Sequence, residues 1–131
     1  MNYVDTSVIV SGLTERHPFH SVCAPLLANG AVTSTHALAE SFAVLTGVFK
    51  YPNHVVSTAL ARLAGIIDVE EITRDDYLQV LRQARARGIT GGLIYDALHA
   101  QVARRLRAEK ILTYNVSNFE HVAADLVIVK P

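Results

Sequence analysis

Three carboxylates in this sequence stand where an ionised side chain is costly. Asp5 follows the apolar pair Tyr3-Val4 and precedes Thr6 and Ser7. Glu40 lies between Ala37-Leu38 and Phe42-Ala43, and Asp96 sits among Leu93, Ile94, Ala97 and Leu98. Taken singly, each has an ordinary explanation: Asp5 as a helix cap, Glu40 as a solvent-facing helical residue, Asp96 as a first-turn charge suited to the helix dipole. Taken together they point elsewhere. A carboxylate beside a core-facing stripe needs a partner or a metal ion, and no Lys or Arg stands one helical turn from Glu40 or Asp96. Acids brought together raise one another's pKa, and a divalent cation reverses that. Oxygen donors favour Mg²⁺ or Mn²⁺ over zinc. One such ion, or two about 4 Å apart, would activate water and stabilise the oxygens of a phosphoryl displacement.

The elements that must position these acids can be read from periodicity. Short apolar runs at Tyr3-Val4, Ala31-Thr33, Ile67-Val69, Lys110-Thr113 and Leu126-Val129 read as strands. Between them lie segments of helical period: Thr6–Leu13, His20–Ala28, a hairpin opened by Thr35 as cap and resumed at His54–Ala64, a helix from Thr73 to Gly88, and Leu93–Glu109. The last is apolar over a wide arc and is expected to be largely buried. Strands alternating with helices imply a parallel sheet covered on both faces, with the ligand crevice at the carboxyl ends of its strands. Asp5 falls at such an end.

Composition sets the outer limits. The chain has 131 residues, 50% of them hydrophobic, with 12 Lys+Arg against 12 Asp+Glu. That suits one domain with its own core, and neither a disordered tail nor a polybasic protein that binds polyanions by bulk charge. The single cysteine excludes an internal disulfide framework. No run is long and apolar enough for a membrane span, and Met1-Asn2-Tyr3-Val4-Asp5 lacks the basic start of a signal peptide, so a cytoplasmic setting is expected. The zero net charge is uneven. Residues 82–110 hold seven basic side chains and two acids, flanking Asp96, whereas residues 68–76 hold five acids and one Arg. The basic stretch makes a polyanionic substrate attractive.

Other reactive residue types have structural explanations. His17, His20 and Cys23 recur every three residues but lack a fourth zinc ligand. Cys23 is expected to be a core thiol, His99 a packed or hydrogen-bonded helix residue, and Tyr95 a core or rim residue. Asp68, Glu70, Glu71, Asp75, Asp76, Glu109 and Glu120 are expected at solvent. No Gly-x-Gly-x-x-Gly or phosphate-binding loop supports nucleotide binding.

Four segments, in order, resemble the PIN-domain ribonucleases, especially the VapC-type toxins of toxin–antitoxin pairs. They are Val4-Asp5-Thr6-Ser7-Val8, Thr35-His36-Ala37-Leu38-Ala39-Glu40, Gly91-Gly92-Leu93-Ile94-Tyr95-Asp96-Ala97-Leu98-His99-Ala100 and Ile111-Leu112-Thr113-Tyr114-Asn115-Val116-Ser117-Asn118-Phe119. The resemblance covers essentially the whole chain. It implies a PIN-like three-layer α/β/α domain over residues 1–131, with a short-stranded parallel sheet of about five strands. It also implies endonucleolytic RNA cleavage with Mg²⁺ or Mn²⁺, Asp5, Glu40 and Asp96 being both catalytic residues and metal ligands. Thr6, Ser7, Thr113 and Asn115 are candidates to support them or to meet substrate. Implied partners are a structured RNA such as tRNA or rRNA, a VapB-type antitoxin and a second copy of the chain, with no membrane. The antitoxin would dock on the hairpin from Leu38 to Leu60, leaving Phe42, Leu45 and Phe49 partly exposed in the free protein.

One departure stands out. Many family members carry a fourth acid after the fourth strand, where this chain has Asn115 and Asn118. An amide oxygen can ligate a cation but adds no charge, which leaves one ion or two open. The alternative is a PIN-like domain that binds RNA or a partner without cleaving. A phosphatase of the haloacid-dehalogenase class using Asp5 covalently would want an acid at position 7, which is Ser7, and a receiver domain would want an acid pair and a central phosphoacceptor that are not found.

Overall fold

The computed structural model describes the whole chain, Met1 to Pro131. Five strands, β1 (Asn2–Val4), β2 (Val32–Ser34), β3 (Asp68–Glu70), β4 (Lys110–Leu112) and β5 (Ile128–Val129), pair in parallel in the order β3-β2-β1-β4-β5. The helices are α1 (Thr6–Leu13), α2 (His20–Ala28), α3 (Thr35–Gly47), α4 (Asn53–Ala64), α5 (Arg74–Arg87), α6 (Leu93–Arg105) and α7 (Val116–Val122). Successive strand residues face opposite sides of a sheet, and here both sides are buried. Val4 and Leu112 pack into one cluster with residues of α1 to α4, while Tyr3 and Ile111 pack into a second with residues of α5, α6 and α7. The result is the expected three-layer α/β/α arrangement.

The strand order reverses around β1, whose neighbours are β2 and β4. In open α/β sheets the crevice for ligands opens at such a switch point. The residues that leave the carboxyl ends of the central strands are Asp5 and Thr113, with Ser34 ending β2. Gly12 lets α1 approach α2 closely: a Cβ there would lie 2.5 Å from Leu27 Cδ1, so the buried Leu27 side chain would have to shift. No helix is long and apolar enough to cross a membrane.

Helix ends follow local chemistry. Asp5 caps α1, and Thr73 with Asp76 forms a reciprocal capping box at α5, which ends at Gly88 in the left-handed region. Several expectations need correction. Thr35 does not cap α3; it is the first helical residue, and its hydroxyl accepts from the Ile72 amide at 3.4 Å. Helix α6 stops at Arg105 instead of Glu109, because Arg107 takes a left-handed φ of 55° and turns the chain into β4. Helix α7, where no element was expected, forms because Phe119 and Val122 supply its buried face. Leu45 is a core residue only 3% exposed, unlike Phe42 and Phe49, which are exposed. Asp76 is not at solvent: it is 2% exposed and bonded to Arg105.

Candidate active site

Asp5 is the most constrained of the three acids. Its carboxylate accepts from Ser7 Oγ at 2.6 Å and the Val8 amide at 3.4 Å through Oδ1, and from Thr113 Oγ1 at 2.7 Å through Oδ2. Both hydroxyls are themselves oriented. Ser7 Oγ accepts from the Tyr114 amide at 2.9 Å, and Thr113 Oγ1 accepts from the Asn115 amide at 2.9 Å. With a lone pair engaged by a backbone N–H, each hydroxyl directs its proton to Asp5. The loops after β1 and β4 are thus joined through one carboxylate. Burial raises the Asp5 pKa, and bonds from Ser7 and Thr113 with the nearby His99 counter it only in part.

Asp96 stands in the first turn of α6, which begins after Gly91-Gly92 without a side-chain cap. Burial and the neighbouring Asp5 and Glu40 charges raise its pKa to about 6, against the opposing pull of His99 and the Asn118 amide. Glu40 differs. Burial disfavours its charge, yet His36, His99 and the Thr6 hydroxyl outweigh burial and hold its carboxyl well below the usual range. His36 Nε2 lies 3.2 Å from Glu40 Oε2, one turn along α3. The sequence reading overlooked this partner by considering only Lys and Arg, although the i, i+4 spacing of His36 and Glu40 was in view.

These side chains share a cavity of about 490 Å³. Asp5, Thr6, Ser7, Glu40, Asp96, Asn115 and Asn118 all line it, with Tyr95, Tyr114, His17 and Phe49 around its mouth. Thr113 does not line it and acts from behind, on Asp5. The three carboxylates do not close to within 4.8 Å as a trio; the set of ligating side chains that does is His36, Glu40 and His99. No Lys or Arg lines the cavity. Three acids without a Lys or Arg among them, two of them (Asp5 and Asp96) destabilised in their ionised form, together with two side-chain amides, fit a hard divalent ion. Asp5 and Asp96 would hold it, with Glu40 and the Asn115 and Asn118 amides at hand.

The basic stretch around Asp96 does not serve the cavity as expected. Arg104 donates to Asp125 at 2.7 and 3.0 Å, and Arg87 to Asp125 at 2.8 Å. Arg105 is taken by Asp76 at 2.9 and 3.1 Å, with Glu70 3.6 Å away. A helix rises about 1.5 Å per residue, so Arg104 and Arg105 lie at the far end of α6 from Asp96. Proximity in sequence misplaced them.

His20, His99 and Cys23 each make contacts within the fold. Cys23 is buried beside Tyr114 Oη at 3.4 Å, and His20 Nδ1 meets the Ser11 carbonyl at 3.3 Å. His99 is packed as expected, with Nδ1 2.7 Å from Tyr3 Oη. Tyr95 is a rim residue stacked on His36 at 5.0 Å between centroids.

The likenesses to known proteins agree with this geometry. The model of the PIN domain matches residues 3–125. Ribonuclease VapC40 of Mycobacterium tuberculosis is 30% identical over 131 residues, covering 95% of this chain and 96% of that protein. The crystal structure of Mycobacterium tuberculosis VapC20, described as a sarcin-ricin loop cleaving toxin, superposes with a TM-score of 0.76 at 24% identity and full coverage of both chains. VapBC2 from Rickettsia felis, solved bound to a promoter DNA fragment, gives 0.69 at 20% identity, covering 100% of this chain and 99% of that one. A sheet ordered around β1, an acid at its switch point and a relative matched along nearly its whole length lead to one assignment: the chain belongs to the PIN-domain family, among its VapC-type ribonucleases.

Proposed function

We propose that this chain is an endoribonuclease toxin that hydrolyses RNA phosphodiester bonds at the cavity of Asp5, Glu40 and Asp96, with Mg²⁺ or Mn²⁺ as cofactor. The observation that carries this reading is the cavity itself, where three carboxylates meet at the sheet's switch point with no Lys or Arg among the lining residues. When bound, a divalent ion neutralises phosphate charge and lowers the pKa of an attacking water. The chain's own contribution is placement. Ser7, in the first turn of α1, and Thr113, just after β4, fix the Asp5 carboxylate from two sides, so its oxygens need no reorganisation to receive charge. Asp96 offers a carboxylate whose ionisation is disfavoured until positive charge arrives. Glu40, held below the usual carboxylate range, is a poor proton acceptor; it suits holding charge or orienting water. Asn115 and Asn118 line the cavity as neutral oxygen donors, which favours a single firmly held ion, any second being weaker.

With Arg87, Arg104 and Arg105 engaged elsewhere and no Lys or Arg in the lining, the rim offers aromatic faces at Tyr95, Tyr114 and Phe49 in place of a cationic groove. That suits RNA with unstacked bases, as in the loops of tRNA or rRNA, over a regular duplex. The α3–α4 hairpin supports docking of a VapB-type antitoxin: Phe42 and Phe49 are exposed, and Leu45, Tyr51, Val55, Val56 and Ala59 line a groove of about 450 Å³ together with Leu13, Glu15 and Arg16 of the α1 end. The likeness to VapBC2 favours the same partner, and a homodimer and a cytoplasmic setting belong to this proposal.

The deciding experiment compares wild type with Asp5→Asn and Asp96→Asn on total RNA, with Mg²⁺ or Mn²⁺ and with EDTA. Cleavage leaving 5′-phosphate and 3′-hydroxyl ends, lost in both variants and in EDTA, is expected. Equal cleavage by all three proteins, persistence in EDTA, or 2′,3′-cyclic phosphate ends would overturn the mechanism.

A further inference from the structure

Beside the acids, the same wall of the molecule carries a donor set suited to a different ion. His36 Nε2 lies 3.2 Å from Glu40 Oε2, and His99 Nε2 lies 3.7 Å from Glu40 Oε1. One ligand atom from each of the three falls within 4.8 Å of the others. In a tetrahedral zinc site, with metal–nitrogen distances of about 2.0–2.1 Å, neighbouring ligand atoms stand roughly 3.4 Å apart. The two short contacts, each close to that value, run to different oxygens of the Glu40 carboxylate, so a bound ion would draw the set together by adjustment of His36, which is partly exposed.

A second observation comes from His99. Its side chain is 1% exposed, and its Nε2 has no hydrogen-bond partner, since 3.7 Å to Glu40 is too long for one. A buried ring nitrogen left without a partner demands an explanation. The other nitrogen, Nδ1, is engaged by Tyr3 Oη at 2.7 Å, which fixes the ring from behind. In the tautomer that ligation requires, Nδ1–H donates to that phenol oxygen and the Nε2 lone pair faces Glu40. Ligating histidines are held in this way, one nitrogen anchored so that the other meets the ion.

We propose that His36, Glu40 and His99 form a binding site for a borderline divalent transition ion such as Zn²⁺, distinct in its donors from the all-oxygen set of Asp5 and Asp96. Two imidazoles and one carboxylate suit Zn²⁺ and disfavour Mg²⁺, which takes oxygen ligands and keeps its waters. Three protein ligands leave a fourth position open. Glu40 is the shared edge of the two sets, so an ion here would tie its carboxylate to the imidazoles. The site does not depend on the nuclease reading.

Calorimetric titration of metal-free protein with Zn²⁺ in excess Mg²⁺ tests it, with Co²⁺ as a visible-absorption probe of imidazole ligation. The comparison set is wild type, His36→Ala, His36→Gln and Asp5→Asn, each checked for a native thermal melt. His36→Gln keeps a hydrogen-bonding group near Glu40 but no imidazole. One Zn²⁺ is expected to bind in excess Mg²⁺, with affinity falling about tenfold or more in both His36 variants, as even groups that merely support a ligand are worth that much. Asp5→Asn should retain the affinity. Unchanged affinity in the His36 variants, displacement by Mg²⁺, or loss in Asp5→Asn would each overturn the proposal. RNA cleavage that fails while Zn²⁺ still binds leaves this site standing; Zn²⁺ binding that fails while cleavage persists removes this site alone.

Discussion

Thr113 holds Asp5 from 108 positions away in the sequence, donating to Oδ2 at 2.7 Å while accepting from the Asn115 amide at 2.9 Å. This one hydroxyl joins the ends of β1 and β4 and completes the hydrogen bonding of a buried carboxylate. Replacing it with the isosteric Thr113→Val leaves both a carboxylate oxygen and an amide without a partner. The expected loss is about 1–3 kcal/mol in a urea melt, with RNA cleavage also reduced and Thr113→Ser restoring both. An unchanged melting midpoint in Thr113→Val would show that the contact is not made in solution.

Asp96 sets function against stability. Its pKa, raised to about 6, lies above the unfolded value of 3.8, so the folded state binds more protons between the two. Without metal, its contribution to stability therefore improves as pH falls from about 6 towards 4, and is unfavourable at neutral pH. Asp96→Asn should stabilise the metal-free protein at pH 7 by about 1 kcal/mol, after discounting for a half-open position. A thermal melt in EDTA showing a clear loss of stability would contradict this.

The same proton competes with the cation. Mn²⁺ affinity, followed by electron paramagnetic resonance, should be nearly flat above about pH 6.5 and fall up to tenfold per unit below about pH 6. A flat profile down to pH 5 would mean that Asp96 is not a ligand.

Asp76 stabilises the contact between α5 and α6. Although desolvated, its pKa is lowered by Arg105 and by the Thr73 amide of the capping box. A depressed folded value means stability present above the unfolded pKa near 4 and lost as pH falls through the folded one. Asp76→Asn is expected to cost about 2–3 kcal/mol at pH 7, through a weakened cap and an unpaired Arg105, and to flatten the acid limb of the stability curve below pH 4. Parallel acid limbs for variant and wild type would rule out this account.

Arg104 and Arg87 converge on Asp125 and not on the cavity. Arg104→Ala should therefore leave the KM for RNA within about twofold, whereas a phosphate contact would cost more and reduce the salt dependence. A large rise in KM, with a lower salt slope, would return these arginines to the substrate path.

What the sequence determined by itself is what depends on local spacing. Alternating short apolar runs and helical periods imply a covered parallel sheet, because each pattern can bury its apolar face in few ways. Asp5, Glu40 and Asp96 could be singled out because an acid beside an apolar stripe is anomalous on energetic grounds alone. Their convergence on one site was expected from the need of such acids for a partner or an ion, with the resemblance pointing the same way, and all three line one cavity. Tertiary structure alone decided which partners each charge has. Tyr3 and His99, Thr113 and Asp5, and Asp76 and Arg105 meet across 96, 108 and 29 positions. No periodicity encodes such separations. The basic run around Asp96 shows the converse: α6 carries Arg104 and Arg105 to its other end, where Asp125 and Asp76 claim them. Helix spacing made the pairing of His36 with Glu40 legible from sequence, whereas the buried, unpartnered Nε2 of His99 emerges only when β1 and α3 close around α6. Charge and periodicity are properties of the chain; which charges face one another is a property of the fold.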